Sequence, residues 1–435
     1  MQPAAAPLAL CTTLFLVLHT VRDAETLSAI RRNEWRRLKE RDIKTMIYGL
    51  ETTFPHGDCP YLTCITQTSQ FLSADNLRLV SRIVGSRACN VRELTLRRVA
   101  LSLLNIAELK HALRLNTTLR RLDLADNELG PRHIRRMAAA LSHSTTLRYL
   151  DLSRNAIGLD GITVLAKKLT QPSRSKGRHG ALAPPLAWLN LRETSLGSKS
   201  MPWLAKLIAN KPTLRWINVG CNGIGANGVT LLVRTLSESS IALTHLGLDL
   251  NDLGVEGARE LARFLRNNRT LTHLYIPRNN VGDEGAAALA DALCVNRTLR
   301  YLQLEFNDIS SVGAQALSAM LRENNVLQGL QLDLNLLGDD GCAALADALA
   351  VNTSLEHLSL RNNRITDIGA GFLAKALARN CSLQHLALRQ NRLLGIQGHS
   401  TLADALSAHS ITLKSIQLDY GFPEWEPIYE TYADY

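Results

Sequence analysis

Leucines recur along this chain in a fixed order, L-x-x-L-x-L-x-x-N, over most of its length. The stretch LRRLDLADNELG from Leu119 aligns with LRYLDLSRNAIG from Leu147, 28 residues later. Because no single repeat can bury its own leucines, this periodicity predicts a stack of about twelve repeats that share one core. The repeats begin at Val91, Leu119, Leu147, Leu186, Leu214, Leu243, Leu271, Leu299, Leu327, Leu355, Leu383 and Leu413.

Within each repeat the apolar pattern changes from period two to helix spacing. The segment L-x-x-L-x-L predicts a short strand with one buried face. The asparagine at the ninth place can satisfy backbone groups where the chain leaves the strand, and helical stretches such as GAAALADALCVN follow. Strands lie about 4.8 Å apart but helices about 8–10 Å. We therefore expect a curved α/β solenoid, a horseshoe with parallel strands on the concave face and helices on the convex face.

This 28-residue strand–helix repeat resembles the ribonuclease-inhibitor-like class of leucine-rich repeats, and also the repeat region of NOD-like receptors. The resemblance covers residues 91–418, about three-quarters of the chain. It implies the horseshoe fold and the habit of binding proteins on the concave face. NOD-like receptors also carry a nucleotide-binding domain, but the motif G-x-x-x-x-G-K-[ST] does not occur in this sequence.

The pattern divides the chain into four segments. Residues 1–22 form an apolar leader, 23–90 a helical N-terminal cap, 91–418 the leucine-rich-repeat domain, and 419–435 a C-terminal cap or tail. One repeat spacing is 39 residues, and the insertion near 171–185 has the composition of a flexible basic loop. Caps are expected because the end repeats of a stack expose their cores.

Cysteine usage favours a cytoplasmic protein. The eight cysteines are scattered without the density of a disulfide scaffold, which indicates reduced thiols. The alternative is secretion, if the apolar run LALCTTLFLVL is a signal peptide, although no basic residue precedes it. Five Asn-x-Ser/Thr glycosylation sequons share one repeat phase, so repetition explains them better than glycosylation does. They begin at Asn116, Asn268, Asn296, Asn352 and Asn380.

No motif in the sequence points to catalysis. There is no nucleophile elbow, no H-E-x-x-H and no paired C-x-x-C, so we expect a protein that is not an enzyme and needs no cofactor. A metal bound by His245 and His273, or by His357 and His385, lacks an adjoining carboxylate or thiolate. The sequence therefore predicts no metal site.

The variable strand positions predict a binding surface instead. Residues at the third place of each repeat point away from the leucine core, and eight of the ten are aromatic or histidine in a chain with 5% Phe, Trp and Tyr. These ten are Arg121, Tyr149, Trp188, Trp216, His245, His273, Tyr301, Gly329, His357 and His385. The candidate partner-binding residues are Tyr149, Trp188, Trp216, His245, His273, Tyr275, Arg278, Tyr301, Phe306, His357 and His385.

Two interpretations of this row remain open. Aromatic side chains supply much of the energy of protein interfaces, which suggests a protein or peptide lying along Tyr149–Tyr301. Alternatively, the rings simply stack on their neighbours along the sheet, at about 0.5–1.5 kcal/mol a pair. The histidines add the hypothesis of a pH-sensitive groove, because imidazole titrates near pH 6.5.

We expect a non-catalytic scaffold or regulator that binds a protein partner in its concave groove. Innate-immune signalling of the NOD-like-receptor type is one version, and a GTPase-activating regulator of the Ran-activating type is the alternative. The net charge is 49 − 39 = +10, which permits weak attraction to anionic surfaces. Nucleic acid and membrane are nevertheless not favoured as partners, because the groove mixes both signs of charge and acids interrupt the basic N-terminal segment.

Overall fold

The structure is a computed structural model that describes residues 64–68, 74–86, 90–170, 184–409 and 413–417. The predicted leader, most of the N-terminal cap, the tail and nearly all of the insertion near 171–185 lie outside the described residues. The chain divides into two compact blocks: block 1 is Met1–Gly247 and block 2 is Leu248–Tyr435. Each block is described by itself.

Block 1 contains seven described strands, and each is paired in parallel with the next one along the chain. The strands are β1 Cys64–Thr68, β2 Glu93–Arg97, β3 Arg121–Asp123, β4 Tyr149–Asp151, β5 Trp188–Asn190, β6 Trp216–Asn218 and β7 His245–Gly247. Six described α-helices alternate with them: α1 Ala74–Gly85, α2 Leu103–Leu115, α3 Pro131–Leu141, α4 Gly158–Thr170, α5 Met201–Ala209, preceded by a 3₁₀ turn at Ser198–Ser200, and α6 Gly225–Glu238.

Block 2 repeats this arrangement with six described strands, again parallel and in chain order. The strands are β8 His273–Tyr275, β9 Tyr301–Gln303, β10 Gly329–Gln331, β11 His357–Ser359, β12 His385–Ala387 and β13 Ser415–Gln417. The helices are α7 Gly254–Asn267, α8 Gly282–Val295, α9 Ser311–Glu323, α10 Gly338–Leu349, α11 Asp367–Leu377 and α12 Ile396–His409.

The segment expected to be a helical cap, residues 23–90, departs from that expectation. It contains strand β1, which pairs in parallel with β2 so that Ile65 lies opposite Leu94 and Gln67 opposite Leu96. The strand–helix alternation therefore begins before Val91. The sequence pattern missed this strand because Gln67 stands where the repeat has a leucine, opposite Leu96.

The core lies between the strand layer and the helix layer of each block. The strand leucines are buried completely; Leu122 and Leu150 in block 1 and Leu302 and Leu330 in block 2 are at most 1% exposed. Small residues on the helices complete this core, such as the fully buried Ala286. The predicted α/β leucine-rich-repeat fold class is confirmed. None of the described helices is long and apolar enough to cross a membrane.

Asparagines at the ninth place join successive repeats, as the pattern predicted. In block 2, Asn307 is fully buried, and its Nδ2 donates to the carbonyl of Ile276 at 2.9 Å. Its Oδ1 accepts the backbone N–H groups of Asn279 at 2.9 Å and Val281 at 3.3 Å. Each such side chain satisfies backbone groups that the turn would otherwise bury without partners.

A second row of asparagines lies where the helices end. Asn296 caps helix α8, donates through Nδ2 to the carbonyl of Leu265 at 2.7 Å and accepts the backbone N–H groups of Thr298 and Leu299. The same bonds recur at Asn352 and Asn380. Most sequon asparagines are therefore structural side chains: Asn116, Asn296, Asn352 and Asn380 are at most 9% exposed.

Candidate functional site

The register of the sheets lines up the predicted third-place residues. In block 1 the first residues of β3 to β7 are direct neighbours, and in block 2 the same holds for β8 to β12. Alternation along each strand points these side chains away from the buried leucines. They form two rows on the outer faces of the sheets: Arg121, Tyr149, Trp188, Trp216 and His245 in block 1, and His273, Tyr301, Gly329, His357 and His385 in block 2.

Four side chains of the block 1 row form one continuous stack, which we call the ring stack. The Arg121 guanidinium lies 3.9 Å from the ring centre of Tyr149. The ring of Tyr149 stacks on Trp188 at 3.7 Å, and Trp188 stacks on Trp216 at 4.0 Å, with interplanar angles of 12° and 8°. Trp216 is only 8% exposed. The stack therefore stabilises itself, at about 0.5–1.5 kcal/mol per ring pair, while Tyr149 and Trp188 remain partly exposed.

A charged network runs beside the ring stack. Arg97 Nε donates to Asp123 Oδ2 at 2.7 Å, and Arg97 Nη2 reaches Asp151 Oδ2 at 3.5 Å. Both carboxylate side chains are 2% exposed. Burial raises the pKa of Asp123, as does the neighbouring Asp151, whereas Arg97 opposes the shift. Asn190 Nδ2 also donates to Asp151 Oδ2 at 3.3 Å, so the network continues along four strands.

The block 2 row is interrupted by Gly329, and the ring of the neighbouring Tyr301 occupies the space next to it. His273 stacks on Tyr301 at 4.6 Å. A Cβ added to Gly329 would lie 2.5 Å from Cδ1 of Tyr301, so the tyrosine ring occupies the space that a side chain would take. Tyr301 then meets His357 at 6.4 Å with a tilt of 33°, and His357 stacks on His385 at 4.8 Å.

Three histidines of the two rows, His245, His357 and His385, are held towards the neutral form. Burial lowers the pKa of His245 to about 4. Burial also lowers the pKa of His357, aided by His385 and Lys414, and the pKa of His385, aided by Lys414. Between the lowered values and pH 6.5 the unfolded chain binds more protons, so these groups make stability fall as the pH drops. Any pH response that these three histidines give the groove would consequently lie below pH 6.5.

The other predicted site residues occupy two environments. Tyr275 is 4% exposed and lies beside His273, with 6.1 Å between ring centres. Arg278 and Phe306 are exposed, and the Arg278 guanidinium lies 5.0 Å from the Phe306 ring centre. Both adopt a left-handed backbone, with φ of 56° and 52°. Across the described residues, no group of three or more His, Cys, Asp or Glu side chains could hold a metal ion.

Comparisons with known proteins agree with this architecture. The family described as Leucine Rich repeat matches six segments of the chain. The pig (Sus scrofa) ribonuclease inhibitor is 29% identical over 230 residues, which are 48% of this chain and 50% of that protein. The chain thus spans about half the length of this curated relative. The family matches cover 115–132, 143–166, 210–233, 267–290, 295–318 and 351–374.

The chain thus carries leucine-rich repeats and is similar to ribonuclease inhibitor. A chain in the crystal structure of the Rad7 and Elc1 complex in yeast aligns with a TM-score of 0.53 at 13% identity, covering 95% of this chain and 98% of that one. The leucine-rich-repeat protein LegL7 from Legionella pneumophila aligns at 16% identity with a TM-score of 0.41, covering 81% and 90%. The likeness to the yeast chain shows the fold alone.

One cavity of this leucine-rich-repeat protein was not foreseen as a site. It has a volume of about 300 Å³ and lies on the outer face of block 2, lined by residues that include Gln303, Glu305, Asp333 and Arg361. The side chain of Arg361 donates to Gln417. The sequence contained a signal, because three of these residues hold the seventh place of successive repeats, but nothing in it distinguished a buried acid from an exposed one.

Proposed function

We propose that this protein is a non-catalytic scaffold that binds a protein partner on the outer face of the block 1 sheet, centred on the ring stack. The leucine-rich repeats and the similarity to ribonuclease inhibitor support protein binding in general. The observation that carries the proposal is the ring stack itself, which holds large amphipathic side chains rigidly on an outer face. Rigid rings contribute binding energy at a low cost in conformational entropy.

The test compares two tryptophans on different surfaces of block 1, one on a strand and one on a helix. Trp188 belongs to the ring stack, whereas Trp203 lies on helix α5 with the ammonium of Lys167 4.8 Å from its ring centre. Partners are captured from a lysate with the full chain, identified by mass spectrometry, purified and titrated. We expect Trp188→Ala to weaken partner binding by about 30-fold, which corresponds to about 2 kcal/mol.

Trp203→Ala is the matched control and should leave the dissociation constant unchanged. Circular dichroism of both variants checks that the repeats remain folded, since removing one ring from a stack also costs stability. Unchanged binding by a folded Trp188→Ala variant would reject the ring stack as the binding surface.

Two more specific versions of the proposal differ in whether the protein accelerates GTP hydrolysis. Innate-immune signalling of the NOD-like-receptor type requires only that the scaffold hold its partner. Regulation of the Ran-activating type, our second candidate from the repeat class, requires faster GTP hydrolysis by a GTPase. Single-turnover hydrolysis with and without the full chain distinguishes them, and no acceleration would remove the second candidate.

We also propose a cytoplasmic location. Sequon asparagines such as Asn296 use their side-chain nitrogen inside the fold, and a glycan attached there would break that bond. Expression of the full chain in cultured cells tests this, with glycosidase treatment of both cell extract and medium. A protein recovered from the medium with glycans on these asparagines would overturn the proposal.

A further inference from the structure

The cavity on block 2 contains an excess of acid that its own side chains do not neutralise. Glu305 and Asp333 line it together with one arginine, Arg361. Asp333 accepts hydrogen bonds from the Ser359 hydroxyl and from the backbone N–H of Arg361, at 2.9 Å for the latter. The arginine side chain donates to an amide instead of a carboxylate. The nearby Asp249 adds a further carboxyl that acts electrostatically on Glu305.

Glu305 is the carboxyl lining this cavity that has an oxygen without a hydrogen-bond partner, and Arg361 Nε likewise has none within the described part of the chain. The Glu305 oxygen is Oε2, which is buried and has no hydrogen-bond partner among the described residues. A buried carboxyl without a partner is costly, and structures keep such groups mainly where a ligand or a proton completes them. The cavity beside it has room for the end of a side chain. A cationic group is the complement that this arrangement lacks.

Two exposed apolar side chains follow the cavity acids in sequence, whereas four of the five equivalent residues of block 1 are charged. One of the two, Phe306, has the Arg278 guanidinium 5.0 Å from its ring centre. The residues that follow Glu305 and Asp333 are Phe306, 46% exposed, and Leu334, 39% exposed. Both have a left-handed backbone, with φ of 52° and 57°. The equivalent eighth-place residues of block 1 are Arg98, Asp126, Arg154, Glu193 and Cys221.

We infer that this cavity and its edge bind a protein segment in which a lysine or arginine stands next to an apolar side chain. The cationic group enters the cavity and pairs with Glu305, while the apolar side chain covers Phe306 and Leu334. The acidic lining of the cavity favours a cationic side chain, and the exposed Phe306 and Leu334 favour an apolar side chain next to it in the bound segment. The inference deepens the proposed function by giving the chemistry of a protein ligand, but its site lies wholly within block 2.

Proton release should accompany this binding. Burial raises the pKa of Glu305 to about 8, with Asp333 and Asp249 adding to the shift. The other charged or titratable groups at the cavity are Arg361, His357 and His385, and the pKa values of both histidines are lowered below 6.5. From pH 7 to pH 9 Glu305 changes from mostly protonated to mostly ionised, so affinity for a lysine-containing segment should rise about tenfold.

The probes are peptides selected from a phage-displayed library of random dodecapeptides on the immobilised full chain. We expect the selected peptides to share a lysine or arginine adjacent to an aliphatic or aromatic residue. The best peptide is then synthesised and titrated calorimetrically at pH 7 and pH 9. Glu305→Gln should weaken its binding at pH 9 at least tenfold and abolish the pH dependence. Phe306→Asn, which keeps a residue suited to positive φ, should weaken it about fivefold.

Glu193→Gln is the matched control, because it removes a carboxylate from block 1 and should not alter peptide binding. Selection of acidic peptides or of none, or a Glu305→Gln variant that binds normally, would overturn the inference. n-Butylamine, which carries the same cation without a peptide, should bind far more weakly than the peptide. Equal affinity would mean that a small amine is the ligand, and this result would also overturn the inference. Binding that depends on Glu305 but not on Trp188 separates this site from the proposed ring-stack function.

Discussion

The strongest quantitative prediction concerns the buried carboxyl of Glu305. The perturbation is Glu305→Gln, which keeps the shape of the side chain and removes its titration. In the folded chain the pKa of Glu305 is raised from 4.5 to about 8 by burial and neighbouring acids. Between these values the folded state retains a proton that the unfolded state has lost. The contribution of Glu305 to the stability of the natural chain should therefore fall as the pH rises from 5 to 8, and then level off.

The magnitude follows from the size of the shift. One pKa unit corresponds to about 1.4 kcal/mol, so the interval from pH 5 to pH 8 corresponds to as much as about 4 kcal/mol. Parts of the Glu305 side chain retain contact with water, and we expect about half of that, about 2 kcal/mol. The glutamine variant should match the natural chain at pH 5 and exceed its stability by this amount at pH 8.

The assay is urea unfolding followed by far-ultraviolet circular dichroism at pH 5, 6, 7 and 8. Glu284→Gln is the control, because Glu284 is a carboxylate of the same block that is 72% exposed and pairs with Arg259. Its profile should follow that of the natural chain within about 0.5 kcal/mol. If the Glu305→Gln and natural profiles remain parallel over this range, Glu305 is ionised in the folded state and the reasoning fails.

Three further substitutions or measurements test the packing. Asn307→Ala should lower the free energy of unfolding by about 2–4 kcal/mol, because several buried backbone groups lose their partner; urea unfolding measures it. Gly329→Ala should cost about 1–3 kcal/mol, since the new Cβ overlaps a tyrosine ring, whereas Gly371→Ala in open space on helix α11 should stabilise by about 1 kcal/mol. Burial raises the pKa of Cys342 to about 12, so a thiol reagent at pH 8 should label the exposed Cys381 and leave Cys342 unmodified until the chain unfolds.

Each of these has an outcome that contradicts it. Asn325 is an exposed asparagine of the same block. An equal loss of unfolding free energy in Asn325→Ala would show that the hydrogen bonds of the ninth-place asparagine are not the cause. Equal effects at the two glycines would mean that the Tyr301 ring does not constrain Gly329. Rapid labelling of Cys342 in native buffer would show that its helix opens readily.

The period of the sequence predicted most of the strand geometry. Leucine spacing predicted the strands β2 to β13, and the ninth-place asparagines predicted the turns. Each of these positions has the same structural role in every repeat: the leucines are buried in the core, and the asparagines form hydrogen bonds with the backbone of the turn. The alignment of Trp188 with Trp216 followed directly from counting along the repeats. Strand β1 escaped because Gln67 breaks the repeated pattern, although backbone pairing with β2 does not depend on that side chain.

What a side chain does on the strand face was decided only by tertiary structure. The sequence by itself determined that rings, histidines and acids would lie in rows on one face, because alternation along a strand is a local property. It did not determine that Trp188 and Trp216 stack, that Tyr301 fills the space above Gly329, or that Glu305 is buried beside a cavity. Contacts across neighbouring strands depend on the side chains of several repeats at once, and burial of a charge depends on all of them together. The residue types on this face could therefore be predicted from the sequence. Their stacking and burial could be determined only from the tertiary structure.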